Sequence, residues 1–251
     1  MTFADIRWSA PPAGWSLKDR EIHVWAAALE FSAQVLAELE LTLSVEEHER
    51  GQKFHFIADR NVFIGSRGVL RAILAAYLEL DPQEIHFAYG RHGKPILASQ
   101  PEAERLQFNL AHSDGLLLTA VSRFCAVGVD VERVRGLDDL DDLANQLLSP
   151  AEEIAWRRLP VSQQNRAFFN LWTRKEACLK AIGEGIAERL KEITVSLMPE
   201  GPAGELDPPG IPDSTQAWTL THLQPAPDFA AALAAPTRDI SVSCWQWSVE
   251  S

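Results

Sequence analysis

The chain is poor in several things, and each shortage excludes a class of protein. It has three cysteines in 251 residues, Cys125, Cys178 and Cys244, far apart and without a C-x-x-C pair. So small and odd a set offers no disulfide framework and no zinc spacing, and points to free thiols in a reducing compartment. Positive charge is also short: 23 lysines and arginines against 35 acids leave a net charge of −12. A protein that grips a nucleic-acid backbone needs a basic footprint, so no nucleic-acid partner is expected. A small phosphorylated ligand stays open, because a local basic cluster can sit inside an acidic whole. No apolar run reaches the ~18–20 residues of a membrane helix. Met1 to Pro12 shows no basic stretch leading into an apolar one. A soluble, cytoplasmic protein with no membrane partner is the expectation. There is no G-x-x-x-x-G-K-[ST], no G-x-G-x-x-G and no G-x-S-x-G. The common nucleotide cradles and the serine-hydrolase elbow are therefore absent.

What is present alternates between helical and strand patterns. Ile22 to Leu29 is a short apolar strand, and Ser44-Val45-Glu46-Glu47 has the spacing of a capping box that starts a helix. Phe63, Leu70, Ile73, Leu74, Tyr77 and Leu78 recur at helical intervals over 59–80, and Asp81-Pro82 stops that helix. Glu84 to Tyr89 is strand-like and runs into a turn, Gly90-Arg91-His92-Gly93-Lys94-Pro95. Leu116–Ser122 and Phe124–Val131 read as the two strands of a hairpin. A second capping box, Ser149-Pro150-Ala151-Glu152, precedes a long helix over 163–182 that Gly183 closes. Prolines and glycines over 199–213 mark a loop, and 217–247 returns to strand alternation. Phe108–Ser122 and Leu220–Pro236 echo one another as strand, polar connector and small-residue-rich strand. Helices followed by strands, twice over, predict an α+β chain of two similar halves, 1–125 and 126–251.

Two stretches carry candidate chemistry. On a strand, Val127, Val129 and Val131 face one way while Gly128, Asp130 and Glu132 face the other. Two carboxylates on one face beside small residues suit a hard cation such as Mg²⁺, which takes one or two carboxylates and completes its shell with water and phosphate oxygens. The same pattern also describes a solvated strand face with two surface acids. In the second stretch, Trp172-Thr173-Arg174-Lys175-Glu176-Ala177-Cys178-Leu179-Lys180, Glu176 and Lys180 stand at i, i+4. Lys175 falls inside the apolar stripe of Phe168, Leu171, Trp172, Leu179 and Ile182. That lysine marks either an anion site where the halves meet or an ordinary amphipathic helix. Gly93-Lys94-Pro95 and Phe108-Asn109-Leu110-Ala111-His112-Ser113 add a turn lysine and a strand histidine as possible phosphate contacts.

Taken in order, Gly-Lys-Pro, Phe-Asn-x-x-His-Ser, Gly-Val-Asp-Val-Glu and Trp-Thr-x-Lys-Glu-Ala-x-x-Lys resemble the Sfp-like 4′-phosphopantetheinyl transferases, over about residues 44–197. The resemblance implies a monomeric pseudo-dimer of two α+β halves, each an antiparallel sheet plus a long helix, with the active site in the cleft between them. It implies transfer of the phosphopantetheine arm of coenzyme A to a serine of an apo acyl, peptidyl or polyketide carrier protein, releasing 3′,5′-ADP, with Mg²⁺ as cofactor. Asp130, Glu132 and Glu176 match the metal acids. Lys180 matches the lysine on the diphosphate, and Lys175 one that also contacts coenzyme A. Lys94, Pro95 and His112 fall near the nucleotide and its 3′-phosphate, His92 and Gly93 beside the adenine, and Arg50 on the 3′-phosphate. Glu176, or a water it polarises on the metal, is the expected general base. The chain departs from the family pattern at Ala111, where a serine is frequent, and at Glu47, where some members carry a basic residue. Because enzyme and carrier are both acidic, docking is expected at an apolar patch around Phe168, Phe169 and Arg166.

Overall fold

The computed structural model describes residues 8–90, 93–98, 106–183, 187–198 and 217–249. β1 (Glu21–Ala28) has the alternation of a strand buried on both faces: Ile22, Val24 and Ala26 join one core, Trp25 and Ala27 another. α1 (Ala33–Leu41) and α2 (Val45–Gly51) follow, and at α2 the Ser44–Glu47 capping box is formed. α3 (Ile57–Leu78) ends at Glu79 in a left-handed conformation, φ 55°. β2 (Phe87–Tyr89) and β3 (Pro95–Leu97) make a small hairpin. β4 (Gln107–Ser113) and β5 (Leu116–Ser122) make a longer one, turned by Asp114 and Gly115 at φ 43° and 78°. β6 (Gly128–Arg133) leads to α4 (Leu140–Leu147), α5 (Pro150–Trp156) and α6 (Val161–Ile182). α5 starts with the Ser149–Glu152 capping box and Pro150 at its first turn, and α6 closes on Gly183 at φ 81°. β7 (Thr219–Leu223), β8 (Phe229–Ala235) and β9 (Ser241–Gln246) end the described chain.

The strands form one sheet in the order β4-β5-β1-β9 and another in the order β6-β8-β7. Their inner faces pack on each other through Ile22, Val24, Leu118 and Ala120 on one side and Val129, Val131, Ala231 and Leu233 on the other. α3 covers the outer face of the first sheet with Val69, Leu70, Ile73 and Leu74. α6 covers the second with Leu171, Ala177, Cys178 and Leu179 against Ala230, Ala232 and Ala234 of β8. By length and composition α3 is apolar enough to cross a membrane, but it is mostly buried in this core. The architecture is α+β.

Two sequence expectations are corrected here. β5 and β6 are not a hairpin: β5 pairs with β4 and β1, β6 with β8, in separate sheets. Ser122 Oγ accepts from the backbone N–H groups of Phe124 and Cys125, which turns the chain out of the first sheet before β6 begins. The first sheet is also not wholly antiparallel. β9 lies parallel to β1 along its free edge, so the C-terminal strand completes the sheet of the N-terminal half instead of staying with residues 126–251.

The alternation at residues 127–132 is as expected, and Gly128 explains why β6 comes so near α6. A Cβ on Gly128 would stand 2.0 Å from the Ala177 carbonyl oxygen and 2.5 Å from the Ala181 nitrogen, both backbone atoms of α6. Nothing flexible is available to move aside. Gly128→Ala should therefore cost about 3 kcal/mol or more, the upper range for overpacking. Urea unfolding checks this: a midpoint equal to that of the parent would mean the contact is slack.

Candidate active site

The close approach of β6 and α6 decides which side chains meet. Asp130 and Glu132 project from β6 toward Glu176 and Lys180 on α6, and these four line one cavity of about 640 Å³. The first half supplies the rest of its wall: Arg50 and Phe54 from α2 and the loop after it, Asp59, Val62, Phe63, Ser66 and Arg67 from α3, and Leu110, Ala111 and His112 from β4. Trp172, one turn before Glu176 on α6, completes it. β4 and β6 are tied together by side chains, not by a ladder. Asn109 Oδ1 accepts from the Val129 N–H at 2.8 Å, and the Ser113 hydroxyl donates to Glu132 Oε2 at 2.8 Å.

The acid cluster is electrostatically tense. Lys180 Nζ donates to Asp130 Oδ1 at 2.6 Å, while the buried Asp130 Oδ2 has no hydrogen-bond partner among the described residues. Burial pushes the Asp130 carboxyl up to about 7, against the pull of Lys180, and Glu132 and Glu176 push it the same way. Burial also raises Glu176, with Glu132 adding to it and Lys180 opposing. His112 is lowered by burial and then by the charges of Lys180 and Arg67, which keeps the imidazole neutral near pH 7.

Several sequence-assigned residues stand elsewhere. Lys175 does not reach the cavity. It is fully buried on another side of α6, where Nζ donates to Glu152 Oε2 at 2.7 Å and to the carbonyls of Leu147 and Leu190. Its three donors are thus satisfied, and its place in the apolar stripe reflects a buried ion pair and not an anion site. Lys94 lies outside the cavity lining, its ammonium donating to the Lys180 carbonyl at 2.6 Å. Gly93 lies in the β2–β3 turn, where its N–H reaches the Gly90 carbonyl, and Pro95 begins β3 opposite Tyr89. His92 lies outside the described residues. Glu47 faces inward, held by Arg71 at 2.7 Å and by the capping box, and does not line the cleft. Phe168 and Phe169 are buried in the α6 core and Arg166 donates to the Pro227 and Phe229 carbonyls, so the expected docking patch is not an exposed surface.

Other lining residues were not singled out from the sequence, Arg67 above all. It sits at the helical interval between Phe63 and Leu70 and Leu74, so a charge inside that stripe was the available signal.

The cleft gathers Asp130, Glu132, Glu176 and Lys180 from one half and Asp59, Arg50, Arg67 and His112 from the other, a set of charges that can engage a metal ion and phosphate groups within an α+β fold. Residues 30–123 match the family described as 4′-phosphopantetheinyl transferase, N-terminal, and residues 126–234 match the 4′-phosphopantetheinyl transferase superfamily. The chain is 39% identical to 4′-phosphopantetheinyl transferase HetI of Nostoc sp. over 227 residues, covering 90% of this chain and 92% of that one. It is 30% identical to a phosphopantetheinyl transferase of Thraustochytrium sp. over 227 residues, 86% and 74% of the two chains. Against 4′-phosphopantetheinyl transferase Sfp of Bacillus subtilis it is 23% identical over 197 residues, 78% and 84%. The chain belongs to the 4′-phosphopantetheinyl transferase superfamily.

Two outcomes test the electrostatics. Lys175→Ala leaves Glu152 buried and unpaired, which should cost ~3–5 kcal/mol of stability. The folded fraction should keep the parent's coenzyme A affinity by calorimetry, whereas a ligand-contacting lysine would lose it. Asp130 titrates higher in the folded protein (about 7) than its ordinary value of 3.8. The stability tied to its protonated form is therefore fully present below about pH 4 and is lost as pH rises through about 7. With divalent ions chelated, Asp130→Asn should gain on the parent by a few kcal/mol, at ~1.4 kcal/mol per pKa unit, between those limits. Parallel stability–pH curves would contradict it.

Proposed function

We propose that this enzyme transfers the 4′-phosphopantetheine arm of coenzyme A to a serine of an apo acyl or peptidyl carrier protein, releasing 3′,5′-ADP, with Mg²⁺ as cofactor. The observation that carries the reading is the meeting of Asp130, Glu132, Glu176 and Lys180 with Arg50, Arg67 and His112 in one cavity. We read the two halves, each with a sheet and a 22-residue helix, as a pseudo-dimer in one monomeric chain. The free thiols of Cys125, Cys178 and Cys244 support a cytoplasmic setting.

Among the described residues no three His, Cys, Asp or Glu side chains already form a metal cluster. The donor set nevertheless fits Mg²⁺. Asp130 Oδ2 is buried without a partner among the described residues and its carboxyl resists ionisation, a condition that a cation beside it would relieve. Asp130, Glu132 and Glu176 would hold the ion, with phosphate oxygens and water completing the shell. When bound, Mg²⁺ supplies charge neutralisation on the diphosphate oxygens.

The remaining work falls to the chain's own groups. The serine Oγ forms a bond to the phosphorus that carries pantetheine, and the bond from that phosphorus to the ADP oxygen breaks. Lys180 sits within reach of the acids and offsets the charge gathering on the departing phosphate. Glu176, whose affinity for a proton is raised by burial, accepts the serine proton. Trp172 and Phe54 give the cavity apolar wall that limits competing water.

The test is to incubate the protein with coenzyme A, Mg²⁺ and a panel of apo carriers, and to read the phosphopantetheinyl mass gain. Asp130→Ala and Glu132→Ala should lower transfer ~10²-fold or more while remaining folded. Lys180→Ala should act on kcat more than on KM. Release of free phosphopantetheine without a carrier would make the protein a hydrolase instead.

A further inference from the structure

The tip of the β4–β5 hairpin grips the end of β6. Ser113, the last residue of β4, donates its hydroxyl to Glu132 Oε2 at 2.8 Å, and its Oγ accepts from the Arg133 N–H at 3.2 Å. Asp114, next along the tip, lies 3.6 Å from Arg133 Nη1. β4 and β6 belong to different sheets, so these contacts reach from one sheet to the other. The strands also have a separate anchor, the bond from the Val129 N–H to Asn109 Oδ1 at 2.8 Å. They are thus tied together independently of Glu132.

A serine hydroxyl has one proton to donate. With its oxygen placed by the Arg133 N–H, that proton is directed at Glu132. Glu132 is half-buried on a flexible side chain, and ordering such a chain on binding subtracts from affinity. A donor that orders the carboxylate beforehand removes that cost. The hydroxyl is also neutral. Lys180 orders Asp130 with a positive charge, which opposes any cation beside it, whereas Ser113 orders Glu132 without adding charge. It engages Oε2 and leaves Oε1 for a ligand. Resting on the reading above, in which Asp130, Glu132 and Glu176 hold Mg²⁺, we propose that Ser113 is the positioning residue that orients Glu132 toward the metal. All three acids stand on β6 and α6, yet one of them takes its aim from the opposite sheet. The stretch Phe-Asn-x-x-His-Ser then divides its work: Asn109 ties the strands, His112 lines the cavity and Ser113 sets an acid.

Mn²⁺ serves as a paramagnetic probe in place of Mg²⁺, titrated into the parent, Ser113→Ala, Ser113→Thr and Asp114→Asn, each saturated with coenzyme A, with the free ion read by EPR. The parent should bind the ion. Ser113→Ala should bind it about 10- to 100-fold more weakly, the usual loss when a group that orients a metal ligand is removed. Ser113→Thr keeps the hydroxyl and should recover most of that affinity. Asp114→Asn breaks the ion pair at the hairpin tip with a residue that tolerates a φ of 43°, and should match the parent. In the transfer assay, the Mg²⁺ concentration giving half the maximal rate should rise in Ser113→Ala by the same factor, with a smaller fall in kcat at saturating Mg²⁺. Unchanged Mn²⁺ affinity in Ser113→Ala, or an equal loss in Asp114→Asn, would overturn the positioning role and leave the metal reading standing. A parent that binds no Mn²⁺ would overturn the metal reading, and this inference with it. If Ser113→Ala does not fold, Ser113→Cys, with its weak S–H donor, takes its place and should show the same loss.

Discussion

With no side chain at Gly128, β6 lies against the Ala177–Ala181 turn of α6, backbone to backbone. That approach sets the reach of Asp130, Glu132 and Glu176 in the cleft. Asp130 is two residues along the strand and Glu132 four, so both rise on the face already turned to the helix. The alanines of β8 serve the same end: Ala230, Ala232 and Ala234 leave room for α6 to sit low on the sheet. A strand of larger residues would lift the helix, and Lys180 would no longer reach Asp130 at 2.6 Å. Packing of the smallest residues thus determines the geometry of the charged ones.

α6 sorts its charges by helical angle. Trp172, Glu176 and Lys180 recur at i, i+4 and i+8 and share the cavity side. Lys175, adjacent in sequence to Glu176, points about 100° away and is anchored among α4, α5 and the segment at Leu190 by Glu152 and backbone carbonyls. Glu152 also accepts from the Val195 N–H, and its other role is in the capping box of α5. One buried glutamate therefore locks a helix start, a lysine and a distant loop. The result is a fixed floor for α6, against which the cleft side can tolerate unsatisfied groups.

Local signals were the legible part of the fold. Both capping boxes, the glycine stop at Gly183 and the alternation of Val129 and Val131 with Asp130 and Glu132 depend on neighbours within a few residues, and each appears as read. Pairing between distant segments was not legible. β9 finds β1 more than two hundred residues away, and nothing in Ser241–Gln246 declares a parallel partner. The β5–β6 error is of the same kind, because two adjacent strands look alike whether they share a sheet or divide between two. Asp114-Gly115 was the stronger turn signal and identifies the true hairpin. At the site, the motif residues on β6 and at Glu176 and Lys180 converge, while Lys175 shows that a lysine in an apolar stripe has two explanations that sequence cannot separate. Arg67 presents the same ambiguity, and it does line the cavity.

The contrast between these two cations rests on what surrounds each. Burial lowers both, but Lys175 has a carboxylate at 2.7 Å and its donors are filled, whereas Arg67, a residue of the cavity lining, retains a buried donor without a partner among the described residues. The same asymmetry separates the acids: Glu152 is enclosed by donors, and Asp130 keeps one oxygen bare. Lys175 and Glu152 lie deep, between helices; Asp130 and Arg67 belong to residues that line the cavity. An incomplete charge in a folded protein is destabilising unless something else completes it. Two of opposite sign, on Arg67 and Asp130, belong to residues that line one cleft, as the proposed reaction with its phosphorylated substrate and cation requires. A ligand that completed them would stabilise the folded chain, because it would bind the native state and not the unfolded one.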